Sequence, residues 1–307
     1  MRIPASGTPR HHATTGGPLV TIDTITILHP GEMGAAIGAR LRERGLRVLW
    51  IGQGRGQASR DRARSAGLEE AGSLAGALAA SPLTLSVCPP HAAIDTARAV
   101  AACGYAGTYI DANAIAPATT LQVGEIVGAA GARFIDGGIV GPPPGPNDPR
   151  GRARLYLSGP EAPALAPALT SGALEVVALD GPIGQASALK AAFAAWNKGT
   201  LALLANVLAL ADAHGVDAAL QAEWAQRDPE VIDRFGRVCA SARKAWRWHG
   251  EMDQIAAAFE AAGLPGGAWA GAAEIYRRQA GFKDDPGAPA LAAIVAALGA
   301  RRSPSAR

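Results

Sequence analysis

The chain has 307 residues, of which 49% are hydrophobic, so it is long enough for two domains that each have a core. Its 29 Lys and Arg residues nearly balance its 26 Asp and Glu residues, and the formal net charge is +3, with the basic residues spread along the chain. These values exclude a disordered or fibrous protein. They also make nucleic acid or an acidic membrane surface a poor candidate partner.

Cysteine usage and the composition of the chain ends indicate a cytoplasmic protein. Cys88, Cys103 and Cys239 follow neither a disulfide spacing nor a CxxC spacing, so the sequence predicts no metal site and fits a reducing compartment. Residues 1–22 lack the apolar core of a secretory signal. We expect them to form a flexible leader, and residues 301–307 to form a flexible tail.

Residues 23–184 alternate short apolar runs with Ala-rich helical segments. This alternation is typical of βαβ units that build a parallel sheet, so we predict an α/β domain with a doubly wound parallel sheet over this range. The expected strands are Thr24–Leu28, Arg47–Ile51, Leu83–Val87, Thr108–Asp111, Arg133–Ile135, Arg154–Ser158 and Leu174–Leu179.

Strand signals fade after residue 184, and helical patterns replace them. We therefore predict an all-α C-terminal domain over residues 185–300. The expected helices are Ala186–His214, Asp217–Gln226, Pro229–Trp248, Glu251–Ala262 and Gly267–Gly281.

The first of these helices, Ala186–His214, is apolar on nearly every face in its second half. Such a helix must be covered on all sides, either by the rest of the helical domain or by a second subunit. We expect a homodimer built around it, with helices of both subunits bordering the active cleft. The longest apolar run, Gly199–Ala211, is shorter than the roughly 18 residues of a membrane span, so we expect a soluble protein.

The stretch LHPGEMG, residues 28–34, lies between the first predicted strand and a long helical run. A dinucleotide-binding turn needs glycine where the backbone turns, approaches the pyrophosphate and packs against the helix, because a Cβ would intrude at each point. Glycines hold the second and third of these places, and histidine holds the first. Free N–H groups of the helix would face phosphate, with the glutamate side chain turned outward. We therefore predict a Rossmann-type cofactor site with contacts from His29, Pro30, Gly31, Glu32, Met33 and Gly34.

The end of the second predicted strand selects between the two nicotinamide cofactors. An acid there would bind the ribose 2′-hydroxyl of NAD, but Gly52 and Gln53 offer none. Arg55, Ser59 and Arg60 follow and favour a 2′-phosphate, so we predict NADP(H) in preference to NAD(H). The alternative is that these arginines are solvated residues at a helix start.

Six motifs follow one another along the chain: HPGEMG, SVCPPHAA (Ser86–Ala93), YIDANAIAP (Tyr109–Pro117), FIDGGIVGPPP (Phe134–Pro144), GPIGQASALKAAFAAWNKG (Gly181–Gly199) and KAWRWHGEMDQIAAAFEAAGLPGG (Lys244–Gly267). In this order they resemble the β-hydroxyacid dehydrogenase and 6-phosphogluconate dehydrogenase superfamily, and the resemblance covers nearly everything after residue 23. The chain is most similar to a bacterial branch of NAD(P)-dependent oxidoreductases whose helical C-terminal domain was formerly of unknown function.

The resemblance implies that two of these motifs line the nicotinamide side of the cofactor, through Cys88, Pro89, Pro90 and Asn113. These residues follow the ends of successive predicted strands, where open α/β sheets bind their ligands. The residues alone would indicate a loop at the two prolines, and an Asx turn or a helix cap at the asparagine.

The segment DGGIVGPP, residues 136–143, matches the superfamily's substrate-binding segment. The resemblance implies substrate contacts from Gly138, Val140 and Gly141. Val140 stands where a serine usually holds the substrate carboxylate. This departure argues against a plain 3-hydroxy acid as substrate.

Lys190 follows GPIGQAS and matches the superfamily's catalytic lysine, which implies a role as general acid and base. Oxidation of an alcohol needs a group that takes the hydroxyl proton, and the reverse reaction needs it returned. A lysine among alanines near a helix start is partly desolvated and therefore gives up its proton more readily. Outside this motif, such a lysine would more often extend from a helix end into solvent.

The superfamily usually has an asparagine one turn after this lysine, but Phe193 and Ala194 occupy those places. Asn197 returns to the same face of a regular helix two turns later. There it would bind the far end of a substrate or form an interdomain hydrogen bond.

Together these features predict an NADP-dependent oxidoreductase that transfers hydride between nicotinamide and a small hydroxy acid or related carbonyl compound. An imine reductase is an alternative, because those enzymes resemble this architecture, although the lysine argues against it. A non-catalytic cofactor-binding protein is a third reading, because the substrate serine and the usual asparagine are both absent.

Overall fold

A computed structural model describes residues 22–146 and 153–299. Apart from Ile22, the predicted leader and tail lie outside these residues. In the described part, eight strands form one sheet in the order β3-β2-β1-β4-β5-β6-β7-β8. The strands are β1 Thr24–Ile27, β2 Arg47–Ile51, β3 Glu69–Ala71, β4 Leu83–Ser86, β5 Thr108–Asp111, β6 Arg133–Val140, β7 Ala153–Ser158 and β8 Leu174–Ala178.

The sheet is doubly wound, and every described pair of neighbouring strands is parallel except β6 and β7, which are antiparallel. The predicted doubly wound parallel sheet is thus confirmed as a mostly parallel sheet, with β6 and β7 as the antiparallel pair. A parallel pair needs a crossover connection, usually a helix, and the link 141–152 is rich in Gly and Pro, which disfavour a helix. Strand β6 also extends five residues past its predicted end at Ile135, so Gly138 and Val140 lie within the sheet.

Helices α1 to α6 alternate with the strands, and their bounds are α1 Glu32–Glu43, α2 Gln57–Ser65, α3 Leu74–Ala79, α4 Ala93–Ala102, α5 Pro117–Ala129 and α6 Ala162–Leu169. A short 3₁₀ segment, Pro90–Ala92, precedes α4. Buried aliphatic side chains cover one face of the sheet, where β1, β4, β5, β6 and β7 contribute Ile25, Ile27, Leu83, Leu85, Ile110, Ile135, Leu155 and Leu157. A second core cluster on the other face includes Leu49 and Ile51 of β2 and Tyr109 of β5.

Only helices follow Gly184 in the described residues. Their bounds are α7 Gln185–Ala194, α8 Thr200–Ala213, α9 Asp217–Arg227, α10 Pro229–Asp233, α11 Phe235–Ala242, α12 Ala245–Ala261, α13 Gly267–Arg278 and α14 Leu291–Gly299. A π-helical turn, Ala195–Gly199, joins α7 to α8 without a break. A separate hydrophobic core from α7 through α14 holds this region together. The division of the chain at residues 184 and 185 stays a prediction.

Two predicted helix boundaries are wrong. The predicted helix Pro229–Trp248 is three helices, and α12 runs straight through Trp248 and Gly250, where a break was expected. A glycine inside a helix costs only about 1 kcal/mol relative to alanine. The fully buried Met252 and Ile255 side chains of the same helix outweigh that cost.

Candidate active site

The glycine turn joins β1 to α1 in a tight bend. A Cβ on Gly34 would collide with the carbonyl oxygen of His29, so this position must be glycine for strand and helix to pack closely. A Cβ on Gly31 would meet nothing within 4 Å, and the Gly31 N–H donates to the His29 carbonyl at 2.9 Å. The helix N-terminus therefore opens onto free space on the ligand side of the turn.

His29 occupies the place of the missing first glycine. Burial, with a smaller contribution from the nearby Arg55 guanidinium, lowers the pKa of His29 to about 4, so the imidazole is neutral at physiological pH. Its Nδ1 atom is buried without a hydrogen-bond partner among the described residues. The turn therefore forms with histidine in place of glycine, and the Nδ1 atom of His29 remains to form a hydrogen bond with a ligand.

The other residues of the turn take separate positions. Glu32 turns outward, as expected, and its carboxylate accepts from Arg247 of α12 at 3.3 Å. Met33 packs against the core of the sheet. The Pro30 carbonyl accepts from Arg62 on α2, whose guanidinium also donates to Ser59 Oγ at 3.2 Å.

The arginines after β2 do not have equal freedom to bind a ligand. Arg60 donates to Glu70 of β3 at 2.8 Å and to the Gly52 carbonyl at 2.7 Å, so its guanidinium is largely used within the protein. Arg55 lies close enough to His29 for its positive charge to lower the pKa of the imidazole. It also lies close enough to Cys88 for the two side chains to interact electrostatically. Its Nε atom is buried without a partner among the described residues. Arg55 is therefore the better candidate for an anionic group.

Asn113 follows β5 and is almost fully buried. Its amide donates to Asp111 at 2.7 Å and to Ser86 at 3.1 Å, while its oxygen accepts from the backbone N–H of Cys88. Asp111 accepts the Asn113 N–H at 3.0 Å, so the Asx turn here is formed by the aspartate. The residues alone indicated such a turn or a helix cap at Asn113 itself, whose oxygen bonds the Cys88 loop instead. Asn113 therefore fixes the Cys88 loop rather than extending freely toward a ligand.

The Cys88 loop lies between the ends of β4 and β5. Burial raises the pKa of the Cys88 thiol to about 11, which keeps it protonated and unreactive. Burial likewise raises the pKa of Asp111, to about 7. Pro89 is exposed, and Pro90 begins the 3₁₀ segment that contacts α12. These prolines are thus at the rim of the cleft between sheet and helices.

The position of Lys190 depends on the N-terminus of α7. Asp136, fully buried on β6, accepts the N–H groups of Gly184 at 2.9 Å and Ser187 at 3.1 Å. Gly138, two residues further along β6, packs so closely that an added Cβ would lie 3.1 Å from the Cβ of Lys190. The sheet therefore fixes the helix that carries the lysine.

Lys190 borders a narrow pocket of about 10 Å³, which is room for about one water molecule, between the sheet and the helical region. Its ammonium lies 3.7 Å from Glu251 of α12, a carboxylate that also accepts from Lys198. The pocket residues are Ala114, Ile115, Lys190, Ala191, Glu251, Gln254 and Ile255. Sequence reasoning assigned no role to Lys198 or Glu251.

The remaining predicted substrate residues lie beyond Gly138. Val140 is half-buried at the end of β6, opposite Arg154 of β7, and Gly141 has a φ of 110°, a left-handed conformation that favours glycine. They lead into the link whose residues 147–152 are not described. Only Gly138 of the three is packed directly against the lysine.

Asn197 does not take the place that regular helix geometry predicts. It lies in the π-helical turn, where its side chain donates to the Phe193 carbonyl at 2.9 Å. A π turn adds a residue to the helix, so eight residues rather than seven return to the starting face. Lys198 therefore reaches Glu251 beside Lys190. The prediction that Asn197 returns to the face of Lys190 is wrong, and its role toward a substrate stays a prediction.

Helix α12 of the same chain covers this side of the cleft. Its Gln254 accepts from the Ala116 N–H at 2.9 Å and from Thr119, while Arg247 reaches the glycine turn. This side of the cleft is therefore formed without a helix from a second subunit, and the predicted contribution of a second subunit stays a prediction. The segment KAWRWHGEMDQ has charged residues at one-turn intervals of a helix. This pattern is the sequence signal that could have indicated a helix facing the cleft.

Solved structures of several proteins cover most of the chain. A conserved protein of unknown function, itself similar in structure to 3-hydroxyacid dehydrogenases, is 24% identical over 84% of this chain and 99% of its own, with a TM-score of 0.59. A Mycobacterium tuberculosis 3-hydroxyisobutyrate dehydrogenase with L-serine is 18% identical over 91% and 100%, with a TM-score of 0.63. The chain has the fold of the 3-hydroxyacid dehydrogenases.

Reductases share this dehydrogenase fold. A reductive aminase from Aspergillus terreus, in complex with NADPH4, cyclohexanone and allyl amine, is 19% identical over 90% of this chain and 99% of its own, with a TM-score of 0.53. Residues 211–279 match a family model described as a domain of unknown function, DUF1932. No curated protein matches the sequence. The resemblance to a branch with such a C-terminal domain is confirmed.

Proposed function

We propose that this protein is an NADP(H)-dependent oxidoreductase that transfers hydride between nicotinamide and a small hydroxy acid or related carbonyl compound, with Lys190 as general acid and base. The observation that carries the proposal is the position of Lys190. The lysine lies on a helix anchored to β6, beside a pocket that is also lined by residues just after β5. Ligands of open α/β sheets bind at this edge, beyond the carboxyl ends of the strands.

The residues of the glycine turn fit a dinucleotide. The open space at Gly31, the N-terminus of α1 and the unpartnered Nδ1 of His29 suit a pyrophosphate, and the unpartnered Nε of Arg55 remains for the 2′-phosphate. The nicotinamide ring, when bound, supplies or accepts the hydride. Cys88, Pro89 and Pro90, held by Asn113, would line its side of the cleft.

The proton comes from the chain itself in this proposal. The Lys190 ammonium donates a hydrogen bond to the substrate carbonyl oxygen and transfers its proton as negative charge develops there. In the oxidising direction the neutral amine accepts the hydroxyl proton. Gly138 leaves the room that α7 needs to bring the lysine to the pocket.

An imine reductase is the second candidate, because a reductive aminase shares the fold and Val140 replaces the serine expected for a carboxylate substrate. A cofactor-binding protein without turnover is the third. Oxidation of NADPH with a panel of small carbonyl compounds, hydroxy acids and preformed imines tests all three. Turnover restricted to imines favours the second, and tight cofactor binding without turnover of any substrate favours the third.

We expect tighter binding of NADPH than of NADH, with Arg55 as the residue responsible. The 2′-phosphate would meet the partly buried guanidinium, and a charge-assisted hydrogen bond contributes about 1.5–3 kcal/mol. Replacement of Arg55 by Met should therefore weaken NADPH binding by about tenfold to a hundredfold and leave NADH binding nearly unchanged. Fluorescence titration of both cofactors measures this.

Arg60→Met is the matched control for Arg55→Met, because Arg60 is already bonded to Glu70 and to the Gly52 carbonyl. Arg60→Met should change the ratio of NADPH affinity to NADH affinity less than Arg55→Met does. Tighter binding of NADH by the wild type would exclude the assignment of NADP(H).

We further propose a soluble, cytoplasmic homodimer that pairs through the long helix Gln185–Ala213. This helix is long and apolar enough to cross a membrane by length and composition, a test that core helices of soluble proteins also pass. One side of it packs in the helical core, and the other exposes an apolar stripe at helical spacing. The stripe consists of Phe193, Trp196, Leu203, Val207 and Leu210.

Charge in the stripe should prevent the pairing. Leu210 is 62% exposed in the single chain, so Leu210→Glu should fold normally but expose a carboxylate where the partner helix would pack. Light scattering at micromolar concentration should give the dimer mass for the wild type and the monomer mass for the variant. Leu264→Glu, in the loop after α12, is the control that should stay dimeric. A monomeric wild type would contradict the proposal.

A further inference from the structure

Three charged side chains meet where α7, the π turn and α12 come together. Glu251 is almost fully buried, and its Oε2 atom accepts a short hydrogen bond from Lys198. Its Oε1 atom lies 3.7 Å from the Lys190 ammonium and has no hydrogen-bond partner among the described residues. One carboxylate is thus shared unequally between two lysines.

The surroundings of this cluster are mostly apolar or positively charged. The Lys198 ammonium lies 4.7 Å from the centre of the Trp248 ring, and its backbone carbonyl accepts from Tyr276 of α13 at 2.7 Å. Arg247 of α12 is the further charge that acts on the cluster. His91, on the 3₁₀ segment against α12, is exposed.

The cluster holds two positive charges and one negative charge in a desolvated place. Burial lowers the pKa of Lys198 to about 8, against the opposing effect of Glu251. Burial alone would raise the pKa of Glu251, but Lys198 and then Lys190 outweigh it, so the pKa of Glu251 is lowered and the group stays a carboxylate. The charge balance therefore depends on all three residues.

We propose that Glu251 is the positioning residue of Lys190, and that Lys198 sets how strongly it acts by occupying one of its two oxygens. The carboxylate holds the Lys190 ammonium at the pocket by charge alone, without a hydrogen bond. The ammonium protons are thus free for a substrate oxygen. This inference rests on the function proposed for Lys190.

The two neighbours of Lys190 must then act with opposite signs. Glu251→Gln removes the negative charge, which favours the neutral amine of Lys190. Lys198→Met removes a positive charge and frees Glu251 to bond Lys190 directly, which favours the ammonium. If Glu251 and Lys198 acted only through packing, the balance between the amine and the ammonium of Lys190 would change in the same direction in both variants, or in neither.

Trace acetylation of the full-length protein without cofactor tests this directly, because only the neutral amine reacts. At pH 8, mass spectrometry compares acetylation of Lys190 with that of Lys244, which is exposed. An opposite charge at 4–6 Å shifts an ionisation equilibrium by about tenfold or more. We expect labelling of Lys190 to rise about tenfold in Glu251→Gln and to fall several-fold in Lys198→Met.

Two matched controls lie outside the cluster. Lys283→Met removes another lysine that stacks on a tryptophan, Trp246, and Asp253→Asn removes another acid of α12. Both should leave the labelling of Lys190 within about twofold of the wild type. Changes in the same direction in Glu251→Gln and Lys198→Met, or changes no larger than in the controls, would overturn the proposal.

Loss of Glu251 alone leaves a buried unpaired ammonium and could unfold the chain. In that case Lys198→Met is compared with the double variant Lys198→Met/Glu251→Gln, in which neither partner is left unpaired. Labelling of Lys190 should be about tenfold higher in the double variant, and equal labelling would overturn the role of Glu251.

The labelling result is independent of the proposed reaction. If Lys190 supplies the proton, the alkaline limb of the turnover profile should also move to lower pH in Glu251→Gln and to higher pH in Lys198→Met. If turnover survives the loss of Lys190, the proposed function fails and the labelling still measures the coupling. If labelling does not change while Lys190→Met is inactive, only the present inference fails.

Discussion

Lys190→Met should slow turnover by about 10²–10⁴, which is the usual contribution of a positioned general acid or base. Methionine matches lysine in length and has a similar helix propensity, so α7 should form normally. Among the described residues, the hydrogen bonds from other helices to the glycine turn come from Arg62 and Arg247 and not from Lys190, so NADPH binding should be nearly unchanged. Steady-state turnover, with cofactor titration on the same samples, measures both quantities.

Asn197→Ala is the matched control on the same helix. Among the described residues its amide donates only to the Phe193 carbonyl within the π turn, so the variant should change turnover by no more than a few-fold. If Lys190→Met bound cofactor and kept near-normal turnover, the proton would have to come from another residue or from water. The assignment of Lys190 would then be wrong.

The α/β part of the fold follows from local sequence signals. Apolar runs such as Thr24–Ile27 and Leu83–Ser86 are buried at every residue, and sequence patterns show such strands well. The glycine turn between β1 and α1 is equally local. The prediction of a Rossmann-like sheet followed by helices is therefore confirmed.

Two features of the sheet left no such signal. Strand β3 has three residues, Glu69–Ala71, with two exposed glutamates at the sheet edge, and an edge strand needs no apolar run. The antiparallel direction of β7 is set by the connection before it, because the residues of a strand do not encode the direction of its neighbour.

The charged cluster could not be predicted because it depends on helix register and on a distant helix. Counting 3.6 residues per turn from Lys190 gives Asn197, and the π turn moves Lys198 to that place instead. Glu251 belongs to α12, a helix for which the sequence pattern predicted a break at Gly250. Lys190 could be identified from its sequence motif, whereas its partners Lys198 and Glu251 are evident only from the tertiary packing.

The largest loss of stability is expected from Asp136→Ala. Asp136 is fully buried and accepts hydrogen bonds from Ser158, from the Gly184 N–H, and from both the N–H and the hydroxyl of Ser187. Its negative charge also stabilises α7, because it lies at the N-terminus of the helix and interacts favourably with the helix dipole. Alanine would leave at least two buried backbone N–H groups without an acceptor, which costs about 1–3 kcal/mol each.

We therefore expect Asp136→Ala to lose about 3–5 kcal/mol of unfolding free energy, measured by urea denaturation. Asp136→Asn keeps one acceptor oxygen and should lose less. Asp180→Ala, an exposed acid just before the same helix, should change stability by no more than about 0.5 kcal/mol. Asp136→Ala unfolding at the same urea concentration as Asp180→Ala would contradict the anchoring role. Because Lys190 follows Ser187 by one turn, a stable Asp136→Asn protein should also turn over more slowly, whereas Asp180→Ala should not.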